Sequence, residues 1–324
     1  ENNFAVRLGG NISTSNSNQI YLGLSYQDLN YYAKEFLFDG QLGKVYNNAQ
    51  FMAKIDFSTA IPTSYRFIAS ITTFDYFKKD KLFSRNDKPA FHQKDERFLK
   101  LQVGLPFLLS KRAEFGIGIA RIEDKYFQRN IIDFEKDRFD RSRYDLFGGS
   151  ISFNGSTLNS RQYPTQGYKE ALVAQIFMGR ERFYPGEETK GVQINKEHHS
   201  WLQLSYMKEK YHTMSEHWVL GWYLKALNAS KNYTATMMQA GEFSPTLHSK
   251  LTYNEAFRAN QFVGAGIRPI YRLNQMFHLR GEFYGFMPIY PIERNSLNKA
   301  YYGKAFSKFE YLGEISVVCQ LPFG

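Results

Sequence analysis

Between Gln261 and Pro288 the chain alternates between two kinds of side chain. Val263, Ala265 and Ile267 are interleaved with Gly264, Gly266 and Arg268; after a tight Leu273-Asn274-Gln275 turn, Phe277, Leu279 and Phe283 are interleaved with His278, Arg280 and Glu282. A period of two belongs to a strand with unlike faces, so the stretch predicts a hairpin with one apolar and one polar face. In a water-soluble fold the apolar face needs a second sheet or a layer of helices to cover it. No amphipathic helix of useful length is legible elsewhere in the chain to supply that cover.

The same alternation recurs along the whole sequence. It marks Phe4 to Ile12, Ile20 to Tyr26, Phe51 to Phe57, Tyr65 to Ile71, Leu99 to Phe107, Phe115 to Ile119 and Phe147 to Phe153. It continues through Leu172 to Met178, Leu202 to Tyr206, Trp218 to Leu224 and Tyr311 to Cys319, with a less regular strand between Tyr31 and Tyr46. Including the hairpin, this predicts about fourteen strands of roughly ten residues, the length that crosses a bilayer at a tilt. The second face is rich in Gly and carries Lys54, Asp56, Lys100, Glu282 and Glu314. Those charges would be buried unpaired in a sandwich, at high cost, but not in a wet lumen. A closed cylinder also removes the strand edges that lipid cannot satisfy. The fold class expected is therefore all-β, a transmembrane antiparallel β-barrel occupying residues 1–324 as a single domain.

Composition agrees with this class and excludes others. Mean hydropathy is -0.47, and no run approaches the ~18 apolar residues from which a membrane helix is read. Aromatic residues make up 17% of the chain, as interfacial girdles require. The net charge of +10 comes from basic residues mixed with acids in loop segments such as Phe77 to Arg97, which reads as solvated loop and not as a nucleic-acid surface. Lys78, Lys79 and Lys81 have solvation as the favoured reading and lipid-A phosphates as the second. From the fourth strand onward the connections alternate short and long, the long ones including Pro185 to His198, Asn228 to Phe257 and Ile289 to Ser307. Bacterial outer-membrane barrels have short periplasmic turns and long external loops, so both ends are expected on the periplasmic side of the outer membrane. Gln320 to Gly324 reads as the opening of a turn, so a closing hairpin is expected to follow; with no secretion signal at Glu1, a processed or partial chain is expected.

Candidate chemistry is sparse. Cys319, the single cysteine, cannot form an intramolecular disulfide and reads as an inert residue on the outer face of a strand. Glu197-His198-His199 lies in a charged segment without a spaced third ligand, and His212 and His217 flank a short turn as solvated residues. Gly264-Ala265-Gly266 has no helix after it to make a dinucleotide site. Gly148 to Ser152 is the nearest approach to a G-x-S-x-G elbow, and it lies inside an alternating strand. No catalytic, metal or cofactor residue is expected in this chain.

Two groups of residues carry a resemblance. In GSISFNGSTLNSRQYPTQGYKEALVAQIF, a strand followed by Asn159, Arg161, Pro164, Thr165 and Gly167 and then a second strand resembles the R…PT.G hairpin of the BamA-like superfamily of outer-membrane assembly and translocation barrels. The runs NNFAVRLGGNIS, FSPTLHSKLTYNEAFRANQFVGAGIRPI, FHLRGEFYGFMPI and YYGKAF look like the C-terminal barrel of patatin-like phospholipases of Bacteroidetes-type bacteria, over essentially the whole chain. The resemblance implies a barrel of about sixteen strands, a preceding adaptor module and a preceding lipase domain that uses a Ser-Asp dyad, none of whose catalytic residues falls here. It implies as partners outer-membrane lipid and lipopolysaccharide, the chain's own lipase domain and the assembly machinery of the outer membrane. In the superfamily the connection before the twelfth strand enters the lumen, and an Arg at its tip meets an acid on the thirteenth strand. Here Phe243 to Lys250 stands in place of the V-R-G-F/Y tip, so Glu282 is expected to receive Lys250, His248 or Arg280, with Arg268 beside them and Gly264 and Gly266 leaving room for the loop. A lumen network with no latch role is an equal expectation. The function implied is anchoring or translocation of the lipase; the alternatives are an autonomous channel and a BamA-like insertase.

Overall fold

The computed structural model describes residues 3–11, 19–29, 32–75, 92–108, 110–126, 138–160, 163–186, 195–231, 240–251, 254–274, 276–294 and 300–319. The first strands are β1 (Phe4–Asn11), β2 (Gln19–Leu29), β3 (Ala33–Gly43), β4 (Tyr46–Phe57) and β5 (Thr63–Asp75). Longer ones follow: β6 (His92–Leu108), β7 (Lys111–Tyr126), β8 (Asp140–Ser156), β9 (Gly167–Tyr184) and β10 (Asn195–Thr213). The chain continues through β11 (Trp218–Ala229), β12 (Gln261–Arg272), β13 (Phe277–Pro288), the short β14 (Ile292–Arg294) and β15 (Ala300–Tyr302), and β16 (Glu310–Cys319).

Fourteen of these form one sheet in sequence order, β1 through β13 and then β16, each antiparallel to the next; β14 and β15 make a separate hairpin within the connection after β13. Among the described residues no pairing joins β1 to β16. Every connection in this meander is local, so the sheet can be built hairpin by hairpin without a crossover.

Burial along the strands is inverted relative to a soluble sandwich. Leu101 and Ile117 are each 56% exposed, while Gln102 and Glu114, on the opposite faces of the same two strands, are buried at 8%. On β13 the pattern is strict: His278, Arg280, Glu282, Tyr284 and Phe286 are buried, and Phe277, Leu279 and Phe283 are exposed. Apolar side chains outside and polar ones inside are what a lipid-facing wall around a lumen requires. Lys54 and Asp56, inward as expected, form an ion pair at 2.5 Å.

The strands run further toward the long-loop rim than the apolar alternation indicated. β6 begins at His92, β7 continues to Tyr126, β8 begins at Asp140, and β10 takes in Glu197, His198 and His199, which therefore belong to a strand and not to a loop. His199 points inward, Nε2 2.8 Å from Glu181 Oε2, and Tyr144 donates to Glu181 Oε1 at 2.7 Å. Beyond the apolar band both faces of a strand are polar, so the hydrophobic period of two vanishes while the backbone ladder continues. Lys78, Lys79, Lys81 and Arg161 lie outside the described residues. The Asn274 turn is held by its own side chain, whose Oδ1 accepts from the N–H groups of Met276 and Phe277 at 2.8 Å each.

Candidate functional site

The inward faces of β10, β12 and β13 meet in one buried network. Arg268 on β12 is its centre, with 4% of its surface exposed. Its Nε donates to Tyr284 Oη at 2.6 Å and lies 3.2 Å from Glu282 Oε1; its Nη1 is paired with Glu209 Oε2 and Tyr211 Oη on β10. The guanidinium also lies over the Tyr223 ring, 4.8 Å from its centroid. Arg280 on β13 donates from Nε to Glu282 Oε1 at 3.0 Å and from Nη2 to Tyr211 Oη at 2.9 Å. Two arginines thus face two glutamates, and the tyrosine hydroxyls of Tyr211 and Tyr284 bond to both signs of charge. Such a set is stable only when complete, because removing one member leaves its partner buried and unpaired.

This network receives main-chain carbonyls from both ends of the barrel. From the long-loop side, the connection between β11 and β12 brings Pro245, whose carbonyl accepts from Arg268 Nη2 at 3.1 Å. From the short-turn side, the connection between β8 and β9 brings Pro164 and Thr165, whose carbonyls accept from Arg280 Nη1 at 2.8 Å and Arg272 Nη2 at 3.3 Å. The local fold of that second connection explains its residues. Asn159 Oδ1 accepts from the N–H groups of Thr165 and Gln166 at 3.0 and 3.1 Å, closing the loop on itself. Tyr163 takes φ 49° and Gly167 φ 91°; a Cβ at Gly167 would also overlap the Thr157 carbonyl. Glycine answers both demands.

The longer connection is fixed to the wall by apolar packing as well. Phe243 is buried among Tyr223, Phe257, Phe262, Tyr284 and Phe286, and a Cβ added at Gly264 would fall within its ring. Gly264 therefore gives the loop room. Gly266 serves the wall itself, since its Cβ would meet the Tyr284 ring and the Phe283 carbonyl. Lys225 Nζ donates to the Glu242 carbonyl at 2.9 Å, and Arg258 closes the base of the loop on Glu242 at 3.0 Å.

Of the cations expected at Glu282, the structure places Arg280 there, together with Arg268 from the neighbouring strand. His248 and Lys250 are exposed, and Lys250 lines an open lumen cavity of about 530 Å³ near the long-loop side. Lys94, Glu96 and Lys231 line both this cavity and an adjoining one of about 490 Å³. Glu209, Tyr211 and Tyr284 carry no motif that marks them in the sequence. Continuing the inward parity of β10 past Tyr206 finds the first two, and continuing that of β13 past Glu282 finds Tyr284. Among the described residues no three His, Cys, Asp or Glu side chains converge to hold a metal ion.

Fold and lumen together define a transmembrane β-barrel whose interior is occupied by its own connections. Among solved structures the chain resembles BamA from Haemophilus ducreyi lacking POTRA domains 1-3, with a TM-score of 0.61 and 12% identity, over 100% of this chain and 65% of that one. The ferric citrate transporter FecA (TM-score 0.35, 9% identity, 89% of this chain and 45% of that one) and the siderophore receptor PiuA from Acinetobacter baumannii (0.37, 9%, 92% and 58%) overlap too loosely to carry an argument. No known family and no curated protein matches the sequence. At this identity the likeness to BamA is one of fold.

Proposed function

We propose that this chain is the membrane-embedded barrel of an outer-membrane protein that anchors or exports a patatin-like phospholipase domain. The observation that carries the reading is the occupied lumen: Pro245 from one end and Pro164 from the other are both bonded to the arginines of a single buried network. A barrel filled in this way suits a protein whose work is done by what the wall holds, and not by solute passing through it. The sequence resemblance to barrels of patatin-like phospholipases supplies the identity of the cargo, and the BamA-like fold is compatible with it. The chemistry of the parent protein then lies outside this chain, and the barrel contributes membrane placement and a route or tether.

Two measurements test this. Reading the gene upstream of Glu1 should reveal a G-x-S-x-G segment in the same open reading frame; its absence overturns the lipase assignment. In planar bilayers the purified barrel should show no steady large conductance, whereas a constantly open pore would favour the autonomous-channel reading.

A further inference from the structure

The outer wall carries a second cluster that the lumen network does not use. Toward the long-loop rim the outward apolar runs of β6, β7 and β9 each end on an arginine: Leu99 gives way to Arg97, Ile119 to Arg121 and Met178 to Arg180. On β8, Phe147 gives way to Asp145. The ladder sets Arg97 opposite Arg121, Arg121 opposite Asp145 and Asp145 opposite Arg180. One step nearer the rim, Arg143 faces Arg182 and Arg182 faces Lys196. Among the described residues at this rim, the acids on the same outward face of β6 to β10 are Asp95, Glu123 and Asp145, and Lys125 and Arg141 add to the cations.

Like charges placed directly across a ladder repel, and internal pairing relieves little of it. Arg121 Nε reaches Asp145 Oδ1 at 2.6 Å, and Arg143 is 3.9 Å from the other oxygen. Among the described residues Arg97, Arg180 and Arg182 have no carboxylate within ion-pair distance, and the Nε atoms of Arg143 and Arg182 are screened from solvent without a hydrogen-bond partner. Below Arg97 and Arg121 the apolar wall is dished. A cavity of about 780 Å³ lies over Ala49 and Ala69, walled by Phe51, Ile71, Leu99, Ile119 and Phe147, with the two arginines and the Asp145 carboxylate paired to Arg121 on its long-loop side.

Depth decides what such a site meets. From Phe107 to Arg97 the strand climbs about 33 Å at ~3.3 Å per residue, and a tilt of about 40° reduces that to roughly the ~25 Å height of the apolar band. The guanidinium groups therefore stand at headgroup level. Arg121 and Arg180 are two strands apart, about 10 Å at the usual ladder spacing, so the arginines present two separate anion positions on either side of Asp145.

We propose that this face binds a lipid bearing two phosphate groups, one held by Arg97 and Arg121 and the other by Arg180 and Arg182, with an acyl chain laid in the furrow over Ala49 and Ala69. Arginine matches phosphate with paired donors, and the furrow requires that the anion be attached to hydrocarbon. The inference depends on the barrel's membrane setting and not on what the barrel carries.

The test uses the full chain in phosphatidylcholine nanodiscs containing diphosphoryl lipid A, phosphatidylglycerol or neither, followed by detergent extraction and native mass spectrometry of retained lipid. The wild type is expected to retain one lipid A and to retain phosphatidylglycerol less. R97Q/R121Q should lower lipid A retention about tenfold or more, and A69F, which fills the furrow and touches no charge, should lower it as well. Heat-modifiable electrophoretic mobility verifies that each variant is folded; if the double variant does not fold, A69F alone decides. Unchanged retention in A69F overturns the furrow and with it the proposal, as does equal retention of phosphatidylglycerol or displacement of lipid A by excess inorganic phosphate.

Discussion

The Phe243 ring occupies the space that a side chain at Gly264 would need. A loop residue and a wall residue thus share one volume, and the loop can lie against the barrel only while the wall position has no Cβ. Replacing Gly264 by Val should expel Phe243 from its aromatic cluster. Overpacking of this kind costs about 1–3 kcal/mol. The expected readout is faster proteolysis between residues 240 and 260 with the barrel still folded; unchanged protease sensitivity would show that the loop is held by other contacts.

Arg268→Ala leaves Glu209 and Glu282 sharing Arg280 and two tyrosine hydroxyls in a buried site. Loss of one member of such a network costs roughly 3–5 kcal/mol, seen as a lower urea midpoint by tryptophan fluorescence. Arg268→Lys should restore less than half of the loss, because an ammonium cannot reach Glu209, Tyr284 and the Pro245 carbonyl together. Full rescue by Lys would mean that charge alone matters.

Gly167→Ala tests the connection from the short-turn side. Gly167 has φ 91° and its Cβ would overlap the Thr157 carbonyl, so the substitution should cost more than about 1 kcal/mol. The displaced connection should also withdraw Pro164 from Arg280. A double-mutant cycle with Arg280→Ala is therefore expected to be non-additive; strict additivity would separate the two.

Lys231 follows β11 and its ammonium lies 5.7 Å from the centroids of Tyr144 and Trp201. Burial pushes its pKa down from 10.5 to about 8, against the opposing pull of Asp124 and Glu181. Between those two values the unfolded chain holds a proton that the folded chain has released, so this residue makes stability rise with pH across the window. Lys231→Met should remove that rise. The check is the difference in urea midpoint between wild type and variant at about pH 7 and about pH 9.5; a difference independent of pH would contradict it.

Much of the site could be read from parity. Gly264, Arg268, Arg280 and Glu282 alternate with Val263, Ile267, Leu279 and Phe283, and the structure places the first set inward and the second outward. Glu209 and Tyr211 are not legible in this way because Lys208, Glu209, Lys210, Tyr211 and His212 are polar on both faces, which erases the apolar marker of direction. The inward aromatics Phe262, Tyr284 and Phe286 obey the same parity as Glu282, yet only a folded loop bearing Phe243 and Phe257 gives them a reason to face the lumen.

The sequence by itself determined the class of fold, because a period of two with no covering layer leaves lipid as the solvent for the apolar face. It also determined which side of each central strand faces inward. Only the tertiary structure decided what the inward charges meet. Arg268 and Arg280 are satisfied by Glu209 on a strand far away in the chain and by the carbonyls of Pro245 and Pro164, and a main-chain acceptor has no residue type by which a sequence can announce it.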